Sequence, residues 1–254
     1  MTNDISEFPN TGRFLAGRLR HAMTAREKNV LEGLVEQVET FEDDERILKR
    51  GAMCEYSTML IEGFAVRTID ENGNRYVVSV QTPGDFMDLH SFALKRLDHN
   101  LVAIGTVKVG IVPHAALSAM MDAEPHLSRL FWFSTLLDAA IHRQWILKLH
   151  QLKASRRTAH LLAEIWQRLE HVGLALPDGF ASPLTQSDLA EMCGTTSIHM
   201  NRSLGELRRK GIADFKRGRL VCNTRALLEK TGDFDPAYLY ATGELAPGNA
   251  LDPK

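Results

Sequence analysis

Residues 185 to 211 read TQSDLAEMCGTTSIHMNRSLGELRRKG, a pattern of two short helices joined by a tight turn at Gly194. Thr185 or Ser187 can cap the first helix, and Asp188 favours its positive N-terminal end. Gly194 tolerates the left-handed conformation that ends a helix. Ala190 lies four residues earlier, where two steeply crossing helices need a small side chain. The stretch therefore predicts a helix-turn-helix; the alternative is a plain helical hairpin within a core.

The second helix has one apolar and one polar side. Met200, Leu204 and Leu207 fall at i, i+4 and i+7 and are predicted to lie in the core. The other side, near the helix start, holds the side chains that we predict to contact base edges: Ser197, Ile198, Asn201 and Arg202. For Arg202 the alternative is a salt bridge with Glu206, one turn further along.

A basic hairpin is predicted after the second helix. Residues 212–215 and 220–222 indicate two short strands around the turn Lys216–Arg219. Residues 185 to 219 carry seven Lys and Arg against four Asp and Glu, whereas the whole chain has a net charge of −2. Such local positive charge indicates a nucleic-acid surface. We predict contacts with DNA phosphates from Gln186, Thr196, His199, Arg208, Arg209, Lys210, Lys216, Arg217 and Arg219.

The composition restricts the class of protein. The 254 residues suit two modest domains, and 44% hydrophobic and 24% charged residues are ordinary for a globular chain. No apolar run approaches the roughly 20 residues of a membrane span, and the N-terminus lacks a signal-peptide pattern. The three cysteines form no metal-binding spacing. We expect a cytoplasmic protein without a metal or other cofactor, and not an enzyme, since no nucleophile–base pair or phosphate loop stands out.

Other elements precede and follow the helix-turn-helix. Residues 14–40 look mainly helical, with a capping-box pattern at Thr24 and Glu27. Residues 41–113 alternate short apolar runs with turn residues, which predicts an all-β jelly roll. We further predict an amphipathic helix at 154–171, a linker at 173–183, a tail at 234–239 that folds onto the basic hairpin, and a mobile end at 243–254.

Pro125 marks the start of a long helix with one strongly apolar stripe. The stripe consists of Leu127, Leu130, Phe131, Ser134, Leu137, Ile141, Trp145, Lys148 and Leu152. We predict that it forms a two-fold dimer seam; the alternative is packing against its own β domain. The fold class is thus α+β: N-terminal helices and β jelly roll (1–124), long dimerisation helix (125–153) and winged helix-turn-helix with its tail (154–254).

This order of parts resembles the CRP/FNR family of bacterial transcription regulators. The resemblance covers roughly residues 30 to 235, and its most specific motifs are Glu62–Gly63, Asp70–Gly73, Pro83–Phe86 and the helix-turn-helix with its wing. It implies a homodimer whose β domain, similar to cyclic nucleotide-binding domains, controls DNA binding through the long helix. It also implies an Arg reader, matched by Arg202, and a Glu reader, where this chain has Ile198.

The effector site departs from the family pattern. Cyclic-nucleotide binders of the family carry a Glu for the ribose and an Arg for the phosphate, where this chain has approximately Leu89 and His99. Leu cannot hydrogen-bond a ribose, and a neutral His replaces a charged guanidinium poorly. We therefore expect no gating by cyclic AMP. The residues assigned to an effector pocket are Arg75, Asp88, Leu89, His99 and Asn100, and a small acidic ligand held by His99, Arg75, Arg96 or Lys95 stays open.

Redox or haem sensing would depend on the cysteines and histidines. The iron–sulfur branch of the family has a cysteine cluster near the N-terminus, whereas this chain has only Cys54 there. Cys193 lies on an apolar helix face, which favours a buried, inert thiol over a redox sensor. Haem stays an alternative because several histidines fall in the β domain and long helix: His90, His99, His114, His126 and His142.

The expected function is a homodimeric transcription regulator that binds a pseudo-palindromic operator in double-stranded DNA. RNA polymerase is a possible further partner, and the effector's identity is left open. The alternative is a sensor of a small acidic ligand or cyclic nucleotide whose output is protein binding. That alternative needs the missing Glu and Arg and does not need the basic wing.

Overall fold

A computed structural model describes residues 2–241. Its helices are α1 (Thr2–Glu7), α2 (Ala25–Gly33), α3 (Ser91–Leu94), α4 (His114–Ala123), α5 (Pro125–Gln151), α6 (Ala154–His171), α7 (Gln186–Met192), α8 (Ser197–Arg209) and α9 (Arg225–Gly232). Its strands are β1 (Gln37–Phe41), β2 (Arg46–Leu48), β3 (Tyr56–Glu71), β4 (Asn74–Gln81), β5 (Asn100–Pro113), β6 (Gly179–Ala181), β7 (Asp214–Lys216) and β8 (Arg219–Val221). Within these residues no helix is long and apolar enough to span a membrane. The predicted mobile end, 243–254, lies outside the described residues.

The β domain is an antiparallel sheet in the order β1-β5-β3-β4, with β2 also paired to β5. Strand β3 is continuous for 16 residues. The sequence motif Glu62–Gly63 lies within β3, at an irregularity in the register of β3 against β5. The predicted turn at Asp70–Gly73 is confirmed, since β3 and β4 meet there as a tight hairpin. The alternation of apolar runs and turns was thus a valid signal for the sheet.

The N-terminal region differs from the prediction that residues 14–40 are mainly helical. Residues 10–19 form successive turns, in which Leu15 has a φ of 54° that a helix does not accommodate. Phe14 is fully buried and its ring meets the ring of Phe131 edge-on at 5.4 Å. The capping box is confirmed, because Thr24 and Glu27 exchange both bonds at the start of α2.

Helix α5 has two stripes on opposite faces. The predicted seam residues, from Leu127 to Leu152, pack into the subunit's own core (the core stripe), apart from the half-buried Ser134. Their assignment to the dimer seam is therefore wrong. The opposite face (the outer stripe) holds Trp132, Leu136, Ala139, Arg143, Ile146 and His150. Trp132, Leu136 and Ile146 are 61%, 50% and 59% exposed, respectively.

The C-terminal region packs α6 against α8 and α9. The bounds of α6 match the predicted 154–171. The predicted linker, 173–183, contains β6, which pairs with β8 and adds a third strand to the hairpin β7–β8. The predicted tail does not lie on the hairpin: residues 236–239 form a 3₁₀ turn against α5 and α6. Leu239 is fully buried there, and burial of its apolar side chain stabilises the 3₁₀ turn in this position.

Candidate nucleic-acid interface and effector pocket

The turn between α7 and α8 has the helix cap and the left-handed glycine that the sequence predicts. Thr185 and Asp188 form a capping box at the start of α7. Gly194 ends that helix with a φ of 55°, which favours glycine. The Thr195 N–H then donates to the Ala190 carbonyl at 3.0 Å. These local bonds fix the angle at which α8 leaves α7.

Helix α8 is anchored by its apolar side. Met200, Leu204 and Leu207 are buried as predicted, and Leu189, Met192 and Cys193 cover them from α7. Thr196 caps α8 by accepting from the His199 N–H at 3.3 Å. Cys193 has no exposed surface, and burial raises the pKa of its thiol. This environment fits the predicted buried thiol rather than a reactive thiolate.

The four predicted base readers share the free side of α8 (the reading face: Ser197, Ile198, Asn201 and Arg202), and all are exposed. Ile198 is 68% exposed, which is unusual for a large apolar side chain. The alternative salt bridge of Arg202 is not formed, because Glu206 pairs with Lys210 at 2.6 Å. Within residues 2–241, no ion pair holds the Arg202 guanidinium, so it is available to a ligand.

The predicted phosphate contacts lie on α7, along α8 from its cap to its end, and on the β7–β8 hairpin. Eight of the nine are exposed, and Arg219 is half-buried with a 2.6 Å ion pair to Asp178. Gln186 accepts from the Asn201 amide at 3.2 Å, which links α7 to the reading face. Arg208 lies 3.9 Å from Asp214. Lys216 and Arg217 project at the tip of the β7–β8 hairpin, where the Ser182 N–H, just before α7, donates to the Gly218 carbonyl at 2.8 Å.

The β domain and the helix-turn-helix region each match a known family of protein domains. The profile of the cyclic nucleotide-binding domain matches residues 38–124, and that of the Crp-like helix-turn-helix domain matches residues 156–231. Together the matches cover more than half of the chain. The chain belongs to the CRP/FNR family. The members that it resembles in structure are transcription regulators, not enzymes. No curated protein sequence matches the chain significantly.

Solved structures of CRP/FNR proteins share this fold. FixK2 from Bradyrhizobium japonicum is 23% identical, with a TM-score of 0.70 over 77% of this chain and 96% of its own. The CRP/FNR regulator TTHA1359 from Thermus thermophilus is 19% identical, with a TM-score of 0.60 over 78% and 98%. The c-di-GMP-responsive regulator CLP from Xanthomonas campestris is 13% identical, with a TM-score of 0.60 over 79% and 100%.

A cavity of about 430 Å³ lies between the β domain and α5. It is lined by Arg67, Ile69, Val78, His90, Leu94, Asp98, His99, Thr135, Asp138 and His142. Of the five residues assigned to an effector pocket from the sequence, only His99 lines this cavity. The other lining residues were missed because they come from β3, β4, the segment 90–98 around α3, and α5, which are distant in sequence.

The remaining four assigned residues have other surroundings. Arg75 pairs with Asp44 at 2.7 Å and with Glu191 of α7 at 3.3 Å. Asp88 is fully buried and accepts from the Thr58 hydroxyl at 2.8 Å, and burial raises its pKa to about 6. Asn100 donates to Asp70 at 3.0 Å. Leu89 is half-buried against the main core.

The charge in the cavity centres on an ion pair between the buried Arg67 and the half-buried Asp138. Arg67 on β3 holds the Asp138 carboxylate on α5 at 2.7 and 2.9 Å. This pair joins the β domain to the long helix, and the guanidinium lowers the pKa of Asp138 against the effect of burial. His99 donates from Nδ1 to Asp98 at 2.7 Å, and its Nε2 has no partner in the described part of the chain.

The predicted haem candidates divide into two groups. His90, His99 and His142 line the cavity, whereas His114 bonds to Ser57 at 3.1 Å and His126 to Glu27 at 2.6 Å. Among residues 2–241 no three His, Cys, Asp or Glu side chains are placed to hold a metal ion together. The cavity therefore contains the imidazoles of His90, His99 and His142, which are not arranged to bind one metal ion together.

We expect His90 to make folding sensitive to acid. Burial, and then the nearby Arg67 and His99, lower the pKa of His90 from 6.5 to about 4. A lowered histidine pKa gives stability that is present above pH 6.5 and is lost as the pH falls towards 4. Urea denaturation at pH 7 and pH 5 should show that His90→Gln reduces the loss by about 2 kcal/mol. His21→Gln, at an exposed histidine, is the control; an unchanged loss in His90→Gln would contradict this assignment.

Proposed function

We propose that this chain works as a cytoplasmic homodimer that regulates transcription by binding a pseudo-palindromic operator, without cyclic AMP as its switch. The observation that carries the proposal is the exposed reading face of α8, whose Arg202 guanidinium has no ion pair within residues 2–241, together with the basic hairpin that follows α8. In a dimer, the two α8 helices would enter successive major grooves about 34 Å apart. The division at 1–124, 125–153 and 154–254, and contact with RNA polymerase, belong to this proposal.

Each residue of the reading face has a chemical role in the proposal. Arg202 donates two hydrogen bonds to guanine, and Asn201 donates to and accepts from adenine. Ile198 packs on a thymine methyl, since its side chain offers no polar atom. Ser197 bonds a base or the backbone. The surrounding basic residues fix the position of α8 through phosphates and carry no sequence information themselves.

Arg209→Ala is expected to weaken binding to all DNA sequences alike. Arg209 is exposed at the end of α8, at a distance from the reading face along the helix. Removing one phosphate contact should reduce the slope of log K against log salt by about 0.9. Binding titrations on the operator and on a scrambled duplex at several salt concentrations measure this. A loss confined to the operator would instead make Arg209 a base reader.

The dimer in this proposal uses the outer stripe of α5. Its residues recur at alternating spacings of four and three from Trp132 to His150. That is the a/d pattern of a two-stranded coiled coil. The exposed Trp, Leu and Ile side chains on this face also form an apolar surface of the kind that a binding partner buries. The partner that satisfies both conditions is the same stripe of a second copy, related by two-fold symmetry.

The effector in this proposal is a small acidic ligand rather than a cyclic nucleotide. Arg67, the cation of the cavity, already pairs with Asp138. An anionic ligand would compete with Asp138 for that guanidinium and so change the attachment of α5 to the β domain. His90 and His99 are neutral at pH 7, because burial lowers the pKa of both. They would supply hydrogen bonds without adding charge.

Selection of bound duplexes from a random pool, with purified ligand-free protein, tests the function. Enrichment of a palindrome is expected if the free dimer already binds DNA. If no sequence is enriched, repeating the selection with candidate small acids and with cyclic AMP identifies the switch. Palindromic enrichment only with cyclic AMP would overturn the proposed independence from that nucleotide. No enrichment under any condition would contradict sequence-specific binding itself.

A further inference from the structure

Three arginines line a small space where the N-terminal segment, the β domain and α6 meet. They are Arg13, Arg18 and Arg168 (the arginine junction), and the space measures about 30 Å³. Its floor is the turn at Gly84, whose φ of 96° and contact with the Arg13 carbonyl leave no room for a side chain. The junction is separate from the effector cavity, with which it shares only Asp138.

Two of these guanidiniums keep buried donors without an acceptor. Arg168 donates to Asp85 at 2.6 Å and lies 3.5 Å from Glu164, but its Nε has no partner among residues 2–241. The same is true of the buried Nε of Arg13. A buried donor left without a partner costs roughly 1–3 kcal/mol. The space between them therefore calls for an acceptor.

The charge at the junction favours an anion as that acceptor. The carboxylates that line it are Asp85, which pairs with Arg168, and Asp138, which pairs with Arg67. Burial and the neighbouring Arg168 lower the pKa of Arg18 to about 10, although Asp85 opposes the shift. Burial, with Arg18, Arg225 and Arg168, lowers the pKa of His171 to about 3. Burial is the largest cause of both shifts, whereas Asp85 and Glu164 raise the pKa of Arg168. The excess of positive charge follows from the groups present, since three guanidiniums stand against Asp85 and Glu164, and Asp138 is already paired with Arg67.

We propose that the arginine junction binds one small monovalent anion of chloride size, held by Arg13 and Arg168. A space of 30 Å³ fits one water molecule or one such ion, and excludes a sulfate with its four oxygens. A water molecule can accept from both Nε groups but does not balance the charge. The anion joins the sensor half to α6 of the DNA-binding half, so it stabilises the docking of the two. This inference does not depend on the proposed DNA-binding activity.

Thermal unfolding of the full chain without DNA tests the inference. At constant ionic strength, gluconate is replaced stepwise by chloride, and in a parallel series by sulfate. We expect chloride to raise Tm by about 2–4 °C and to saturate, as binding to the folded state requires. Sulfate, which stabilises folded proteins by exclusion from their surface, should raise Tm without saturating and to the same extent in Arg13→Gln. Arg13→Gln should abolish the chloride effect. The control Lys49→Gln removes one exposed surface charge and should keep it.

A rise in Tm with chloride that does not saturate, or that is the same in Arg13→Gln, would overturn the inference and leave water as the occupant. A second measurement uses the unaltered chain, so that it does not depend on how the variants fold. Crystals soaked in bromide should show an anomalous peak between the Arg13 and Arg168 guanidiniums. Bromide peaks elsewhere on the molecule with none at this position would overturn the inference as well.

Discussion

Leu136→Glu is expected to convert the dimer into a monomer and to weaken binding to a palindromic operator by at least about 100-fold. Leu136 lies in the middle of the outer stripe, between Trp132 and Ile146, and half of its surface is exposed in the single chain. In the proposed dimer, two glutamates would face each other across the seam in an apolar environment. Like charges removed from water are costly there, and the loss of the second half-site removes the avidity.

The matched control is Met53→Glu, which places the same charge on an exposed apolar residue of the β domain, 63% exposed. Sedimentation equilibrium gives the oligomeric state, and binding titrations on one and two half-sites give the affinity. Leu136→Glu should bind a single half-site about as well as the unaltered chain. A variant that stays dimeric would place the seam elsewhere. A monomer that keeps full operator affinity would contradict the requirement for a dimer.

The two stripes of α5 show what a sequence pattern can and cannot predict about the contacts of a long helix. The core stripe has more large apolar residues, so counting hydrophobicity selects it as the interface, although it packs into its own subunit. The outer stripe carries Arg143 and His150 and looks amphipathic, yet its spacing is the strict 4-3 repeat of a coiled coil. A long helix between two partners needs two apolar stripes, and the sequence does not say which partner each one meets.

Local chemistry was predictable and long-range assembly was not. The caps at Thr24, Thr185 and Thr196 depend on residues three positions away, so the sequence alone indicates them. The effector cavity instead combines Arg67 of β3 with Asp138 of α5, which are 71 residues apart. An arginine on a strand and an aspartate on a distant helix form no sequence motif, because only the folded chain places them within hydrogen-bonding distance. For the same reason the pocket assigned from the sequence included Arg75 and Asp88, which have structural partners instead.

Arg202→Ala is expected to cost roughly 1–3 kcal/mol of operator binding and to relax the preference at one base pair. The structure strengthens the physical basis for this expectation. Glu206, the residue one turn away that could hold the guanidinium, pairs with Lys210 instead. Arg202 therefore reaches DNA without first breaking a salt bridge. Its side chain leaves the same exposed side of α8 as Asn201, which Gln186 orients at 3.2 Å.

The measurement compares Arg202→Ala with Arg209→Ala on three duplexes: the selected operator, the operator with the contacted base pair changed, and a scrambled sequence. A base reader loses affinity on the operator but little on the other two, because the bidentate bond to guanine exists only there. A phosphate contact loses affinity on all three. If Arg202→Ala weakens the three duplexes equally, Arg202 contacts the backbone, and base reading by α8 depends on the rest of the reading face. Arg202→Lys separates charge from geometry, since lysine keeps the charge but lacks the two-pronged donor. It should therefore bind the scrambled duplex as well as the unaltered chain does, while keeping most of the loss of affinity on the operator.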